Sequence, residues 1–287
     1  MLMLMLMREA TRQTPADDRR ALVPARFSPS ARLRDRVESI DVVHGGPARL
    51  TVLPGAGAVL GVQFRGRVRG ERGLLARAGV TGIQHGARSY EYIDGAASVL
   101  VRFTPQGAAC LGVPASELVD QSVALEELVA PERIDALHER LARAPSDAAR
   151  ADAVAHLLEQ LCFARDPAVT RAIALLDTEV SSVRALAAAL GLSERQLERR
   201  FLAAVGVTPK RFAGLRRFER AVRLAQTEPT LAQAAVAAGY YDQSHLVRDF
   251  RRYAGASPTA LLRSQPVGNA PAAGAPLDAD WRRRNRP

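Results

Sequence analysis

GYYDQSHLVRDFRRYAGASP, residues 239–258, is the stretch on which the reading of this chain turns. Asp242 opens it with a short acceptor side chain suited to cap free backbone N–H groups at a helix start. Leu246 and Phe250 fall four apart and share one helix face, with Tyr253 near its end. Ser244, Arg248 and Arg251 or Arg252 lie on another face. A short helix of this kind is usually an ordinary surface helix. The same pattern also suits a helix that packs on a scaffold and offers its polar, basic stripe to a nucleic-acid groove. One helix does not decide between these.

A second copy lies upstream. Leu197, Arg199, Phe201, Gly206 and Pro209 match Leu246, Arg248, Phe250, Gly255 and Pro258, each pair offset by 49. An Ala-rich segment ending at a glycine, Gly191 or Gly239, precedes each copy, here at an offset of 48, so the second turn holds one extra residue. Helix, short Gly-containing turn and second helix make the helix-turn-helix signature. Two tandem copies argue against chance.

At these residues the chain resembles the AraC/XylS-type helix-turn-helix transcription regulators of bacteria. The resemblance runs from about residue 170 to 263, about a third of the chain, and rests on residues 239–258 and on LGLSERQLERRFLAAVGVTPKRF, residues 190–212. It implies two helix-turn-helix units joined by one long helix, each placing a recognition helix in a DNA major groove. A softer likeness, over residues 102–129, is to the end of an N-terminal domain attached to some of these regulators. The paired-histidine pattern of their sugar-binding cupin members is not evident.

The charge distribution agrees. The formal charge is +10. Residues 168–265 hold 15 Arg/Lys against 8 Asp/Glu, whereas residues 1–167 hold 21 against 20. Basicity concentrated on the helix-turn-helix units is what a phosphate-binding footprint requires. Lys210 is the only lysine, so Arg-rich composition explains the choice of Arg but not its segregation. Cys110 and Cys162 are too few for a disulfide framework and lack zinc spacing. No metal site, cofactor or catalytic group is expected. The opening MLMLMLM has neither the form of a signal peptide nor the length of a membrane span, so a cytoplasmic protein is the default.

In chain order, residues 1–20 read as a disordered leader. Residues 21–165 read as a β-rich sensor or dimerisation domain with helices at its end, and the sequence does not rank the two roles. Short runs at 50–53, 59–64, 80–84, 90–93 and 98–103, punctuated by Gly and Pro, suggest a small barrel or sandwich. Helices are expected near 106–111 and 115–119, and amphipathic pieces at Leu125–Val129, at Ile134, Leu137 and Leu141, and from Val154 to Cys162. Asp166-Pro167 marks the boundary. Residues 166–265 form the DNA-binding domain and residues 266–287 a disordered basic tail. The fold class is therefore α+β: a β-rich domain followed by an all-α domain.

Within the first unit, Ser193 and Gln196 form a capping box, and Leu197 and Phe201 bury one side of the helix. Arg195 and Arg199 project together, flanked by Gln196 and Arg200. Arginine reads guanine through two hydrogen bonds. Resemblance places base reading on Arg195, Glu198 and Arg199. Pro209 starts the connecting helix, whose buried stripe is Phe212, Leu215, Val222 and Ala225 with Phe218 at its margin, and Thr230 and Gln233 cap the next. In the second unit Gln243, Ser244 and Arg248 match groove-facing positions of the family, and Arg251 and Arg252 extend the basic face. His245 reads as a phosphate or packing contact, because no second metal ligand is spaced with it.

The partners expected are double-stranded DNA and no membrane. A small-molecule effector, a second copy of the chain and, for an activator, RNA polymerase stand open. An enzyme of DNA-repair type, with the helix-turn-helix half as a targeting module, is the alternative. Such an enzyme needs a cysteine cluster, which two isolated cysteines do not supply. Two recognition helices in one chain reach two successive grooves, so dimerisation is not required by geometry.

Overall fold

The computed structural model describes residues 24–45, 48–161, 165–177 and 182–264. The expected leader and tail lie outside these, as does Cys162.

Among the described residues the amino half is built on one antiparallel sheet of eight strands: β1 (Ala25–Phe27), β2 (Val37–His44), β3 (Ala48–Val52), β4 (Val59–Gly70), β5 (Gly73–Leu74), β6 (Ala78–Thr81), β7 (Arg88–Phe103) and β8 (Ser122–Ala124). The order is β1-β2-β7-β4-β6-β8, with β3 added to β7 and β5 to β4. β7 is the spine. Its first part pairs with β3, its second with β2, and β4 follows its other edge. The two runs expected at 90–93 and 98–103 are thus one strand. Asp94 and Gly95, both at positive φ, kink it without ending it, and β4 bulges opposite. Gly66 sits in that bulge at φ 58°, where a Cβ would lie 2.5 Å from the Ile93 carbonyl oxygen.

The period-2 alternation of strands assigns the two faces. Leu60, Val62, Ala78, Val80, Val99 and Val101 are buried in a core closed by helices α1 (Pro131–Arg143) and α2 (Asp147–Glu159), which contribute Ile134, Leu137, Leu141, Val154, Leu157 and Leu158. The opposite face presents Gly61, Gln63, Gly79, Thr81, Ser98 and Leu100 to a cavity of about 290 Å³. The helices expected near 106 and 115 are short 3-10 turns, Gly107–Leu111 and Ala115–Leu118, and the Leu125–Val129 piece is another, Leu125–Glu127.

The carboxy half is helical: α3 (Pro167–Asp177), α4 (Val183–Ala189), α5 (Glu194–Val205), α6 (Pro209–Thr227), α7 (Leu231–Ala238), α8 (Gln243–Ala254) and α9 (Pro258–Ser264). α4 with α5 and α7 with α8 are the two expected units, and the 19-residue α6 joins them. Phe218 is not at the margin of α6: it is 1% exposed and packs on Phe250 and Tyr253. Phe212, six residues earlier, packs edge-on against Phe201. Six residues turn about 240° and rise about 9 Å, so the two units dock on different sides of one rod.

The halves are in contact. Leu53, Ala56 and Ile83 from sheet loops enter the core of the helical half. Ala56 N–H donates to Glu219 Oε1 of α6 at 3.0 Å, and Ala87 N–H donates to the Tyr253 carbonyl at the end of α8 at 2.8 Å.

Candidate nucleic-acid interface

The second helix of each unit, α5 and α8, is started, stopped and seated by its own residues. Ser193 Oγ accepts from Gln196 N–H at 3.2 Å, and Gln196 Oε1 accepts from Ser193 N–H at 2.9 Å, a complete capping box at the start of α5. Asp242 caps α8 by accepting from His245 N–H at 2.7 Å. Such caps each contribute about 1 kcal/mol. Gly206 and Gly255 end the two helices in the left-handed conformation, φ 92° and 69°. Gly206 has a second reason to be glycine: a Cβ there would lie 2.7 Å from the Ala115 carbonyl of the sheet half. Leu197, Phe201 and Val205 seat α5, and Leu246, Phe250 and Tyr253 seat α8.

With the apolar faces buried, the opposite faces are open. Arg195, Gln196, Glu198 and Arg199 are exposed on α5, and Gln243, Ser244, Arg248, Arg251 and Arg252 on α8. Three of the eleven expected residues are committed elsewhere as well. The Gln196 side chain closes the capping box. His245 is half-buried with its ring edge-on to Tyr240. Arg200 forms a two-pronged bond with Asp166, at 2.7 and 2.8 Å.

Asp166 is a junction that the spacing of residues does not reveal. Its Oδ1 accepts from Ala168 and Val169 N–H at the start of α3, and its own N–H donates to Gln106 Oε1 at 3.0 Å. Gln106, just beyond β7 and 4% exposed, donates in turn to Thr170 Oγ1. Burial raises the Asp166 carboxyl, but Arg200 and the two backbone N–H groups outweigh it and hold it below the usual carboxylate value. The second unit has a counterpart. Asp249, at the position matching Arg200, lies 3.6 Å from Arg217 of α6, whose guanidinium stands over the Tyr240 ring at 4.8 Å. The tethers at matching positions have opposite polarity.

Residues 186–264 match a family model described as a helix-turn-helix domain. This is an AraC-type helix-turn-helix domain. The chain that carries it is a DNA-binding transcription regulator. Among solved structures, the AraC-type domain is similar to a transcriptional regulator with an AraC-type DNA-binding domain from Chromobacterium violaceum. The two are 29% identical over 35% of this chain and 95% of that one, with a TM-score of 0.32. Over more of its length the chain is similar to ToxT from Vibrio cholerae. The unsaturated fatty acid-bound form of strain SCE256 is 11% identical over 81% of this chain and 97% of that one, TM-score 0.45. ToxT of strain O395 is 12% identical over 79% and 97%, TM-score 0.42. A search of curated proteins gave no match. Among the described residues, no helix is long and apolar enough to cross a membrane.

Proposed function

We propose that this regulator reads DNA through the exposed faces of α5 and α8, and that a small molecule held by its sheet half controls that reading. One observation carries the proposal. The segments that line the cavity continue into the segments that hold the helical half. Leu53–Gly55 lines the cavity, and the next residue, Ala56, bonds Glu219 on the connecting helix. Gly82, Gln84 and Arg88 line it too, and Ala87 between them bonds the end of α8. A ligand that shifts the first segment shifts the connecting helix, and one that shifts the second shifts the end of α8, which is the differential contact that any effector needs.

On this reading Arg195, Glu198 and Arg199 face bases in one half-site and Gln243, Ser244 and Arg248 in the other, with Arg251 and Arg252 beside them. The sheet half performs no catalysis. The protein acts in the cytoplasm, where the DNA is. A second copy of the chain and RNA polymerase are further partners that this reading accommodates and does not need for DNA contact.

The test is a thermal-shift screen of small molecules on the full chain, followed by duplex binding. A true effector raises the melting temperature through mass action and changes affinity for the preferred duplex. Molecules that stabilise the protein and leave duplex affinity untouched would show that the cavity does not govern DNA binding.

A further inference from the structure

The cavity itself says what kind of molecule fits it. Gly61 of β4 and Gly79 of β6 are register partners, and both face inward. Two opposed glycines leave a strip of bare backbone as the floor, a flat surface where side chains would otherwise stand. Leu100, Val59 and Val68 supply apolar wall. The volume, about 290 Å³, is at the lower edge of the ~300–1,000 Å³ typical of ligand clefts.

Polar groups divide by depth. The charged lining residues Glu71, Arg72, Arg88 and Asp120 are exposed or partly exposed and so stand at the mouth. Arg88 there is engaged by Glu71 at 2.7 Å and by Gln84 at 3.0 Å, with Asp120 3.8 Å away. The buried lining is neutral. Gln63 spends both ends of its amide on backbone, donating to Ala76 O and accepting from Val68 N–H. Ser98 is 2% exposed, and its Oγ is held only by a loose hydroxyl–hydroxyl contact with Tyr92 that falls short of full hydrogen-bonding geometry. Burial pushes the Tyr92 phenol up to about 12, so it stays a neutral hydroxyl at any physiological pH. Two buried hydroxyls joined by one loose contact keep lone pairs free for a further polar group.

We propose that the cavity takes a neutral, flat, largely apolar molecule of about two rings, with one hydroxyl or carbonyl that bonds Ser98 beside Tyr92. The inference rests on the effector reading above and narrows it to a ligand class. An anionic group carried to the same depth would meet no cation, because the arginines stand at the mouth.

Two probes of one shape separate the classes: 4-phenylphenol, neutral at pH 7, and 4-phenylbenzoate, its anionic counterpart. Isothermal titration of the full chain should show the phenol binding at least ten-fold tighter. Ser98→Ala should weaken it by about ten-fold, the value of one ordinary hydrogen bond. Gly61→Val should abolish binding by filling the floor. A Cβ at Gly61 meets nothing nearer than Leu100 Cδ2 at 3.6 Å, so the smaller Gly61→Ala gives a graded version should the valine disturb the fold, as judged by circular dichroism. Tighter binding of the benzoate, lost in the Gly61 variants, overturns the ligand class but leaves the cavity an effector site. Phenol binding that survives both Gly61 variants, or no binding of either probe, also overturns the inference. The effector reading falls with it only if the wider screen finds no molecule that alters duplex affinity.

Discussion

Arg199 projects from α5 into solvent, whereas Arg200, one residue and about 100° further around the helix, closes on Asp166 at 2.7 Å. Their substitutions should therefore differ in kind. Arg199→Ala should cost about 1–3 kcal/mol on the preferred duplex and relax base choice at one or two positions of a single half-site. Arg200→Ala should leave the preferred sequence unchanged and weaken all duplexes alike, because it loosens the seat of the helix and not its reading face. Site selection from randomised duplexes with each variant checks both. The Asp166 tie also has a pH signature. Its folded pKa is depressed, so the stability it contributes is present above the ordinary carboxylate value of about 3.9 and is lost as pH falls through the lower folded value. Acid unfolding of wild type should therefore show a proton uptake below about pH 4 that Asp166→Asn lacks. An identical acid profile for the two proteins would mean that the Arg200 bond does not stabilise the carboxylate.

The helix-turn-helix elements hang on α6. Its Arg217 is packed on Tyr240 and set against Asp249, which is 9% exposed. Asp249→Ala should therefore destabilise the second unit by roughly 1–3 kcal/mol, as loss of a largely buried charged partner does. Arg217→Ala should lower the melting temperature without flattening the salt dependence of DNA binding. A flattened slope with unchanged stability would assign Arg217 to the phosphates instead. The recognition helices, their caps and their terminal glycines were legible because each is a local pattern: acceptor three residues before an N–H, apolar residues four apart, glycine at the stop. β2 was not. It is buried on both faces and carries Asp41, fully buried and bonded by Arg26 at 2.6 Å, so it shows no apolar alternation to read. The Gln106–Asp166–Arg200 chain was likewise out of reach, since its members are joined only by the packing of the two halves. The cavity was half visible: Gly61 and Gly79 stand in the sequence, but only the register places them face to face.

Across the whole molecule, charge and architecture address the same partner. The helical half carries 15 Arg/Lys against 8 Asp/Glu, and its two polar faces are presented by helices docked on different sides of one rod. Affinity should fall steeply with salt, as counterion release demands, and electrophoretic shifts across a salt series measure the slope. Salt-independent binding would exclude phosphate contact as its source. The central claim, that one chain reads DNA with two helices, is tested most directly by selecting duplexes from a randomised pool with the full-length protein. The account predicts a two-part site whose half-site centres lie about 10 base pairs apart on one face of the duplex, with Arg199→Ala degrading one half and Arg248→Ala the other. A single contiguous element, equally degraded by both substitutions, would contradict it.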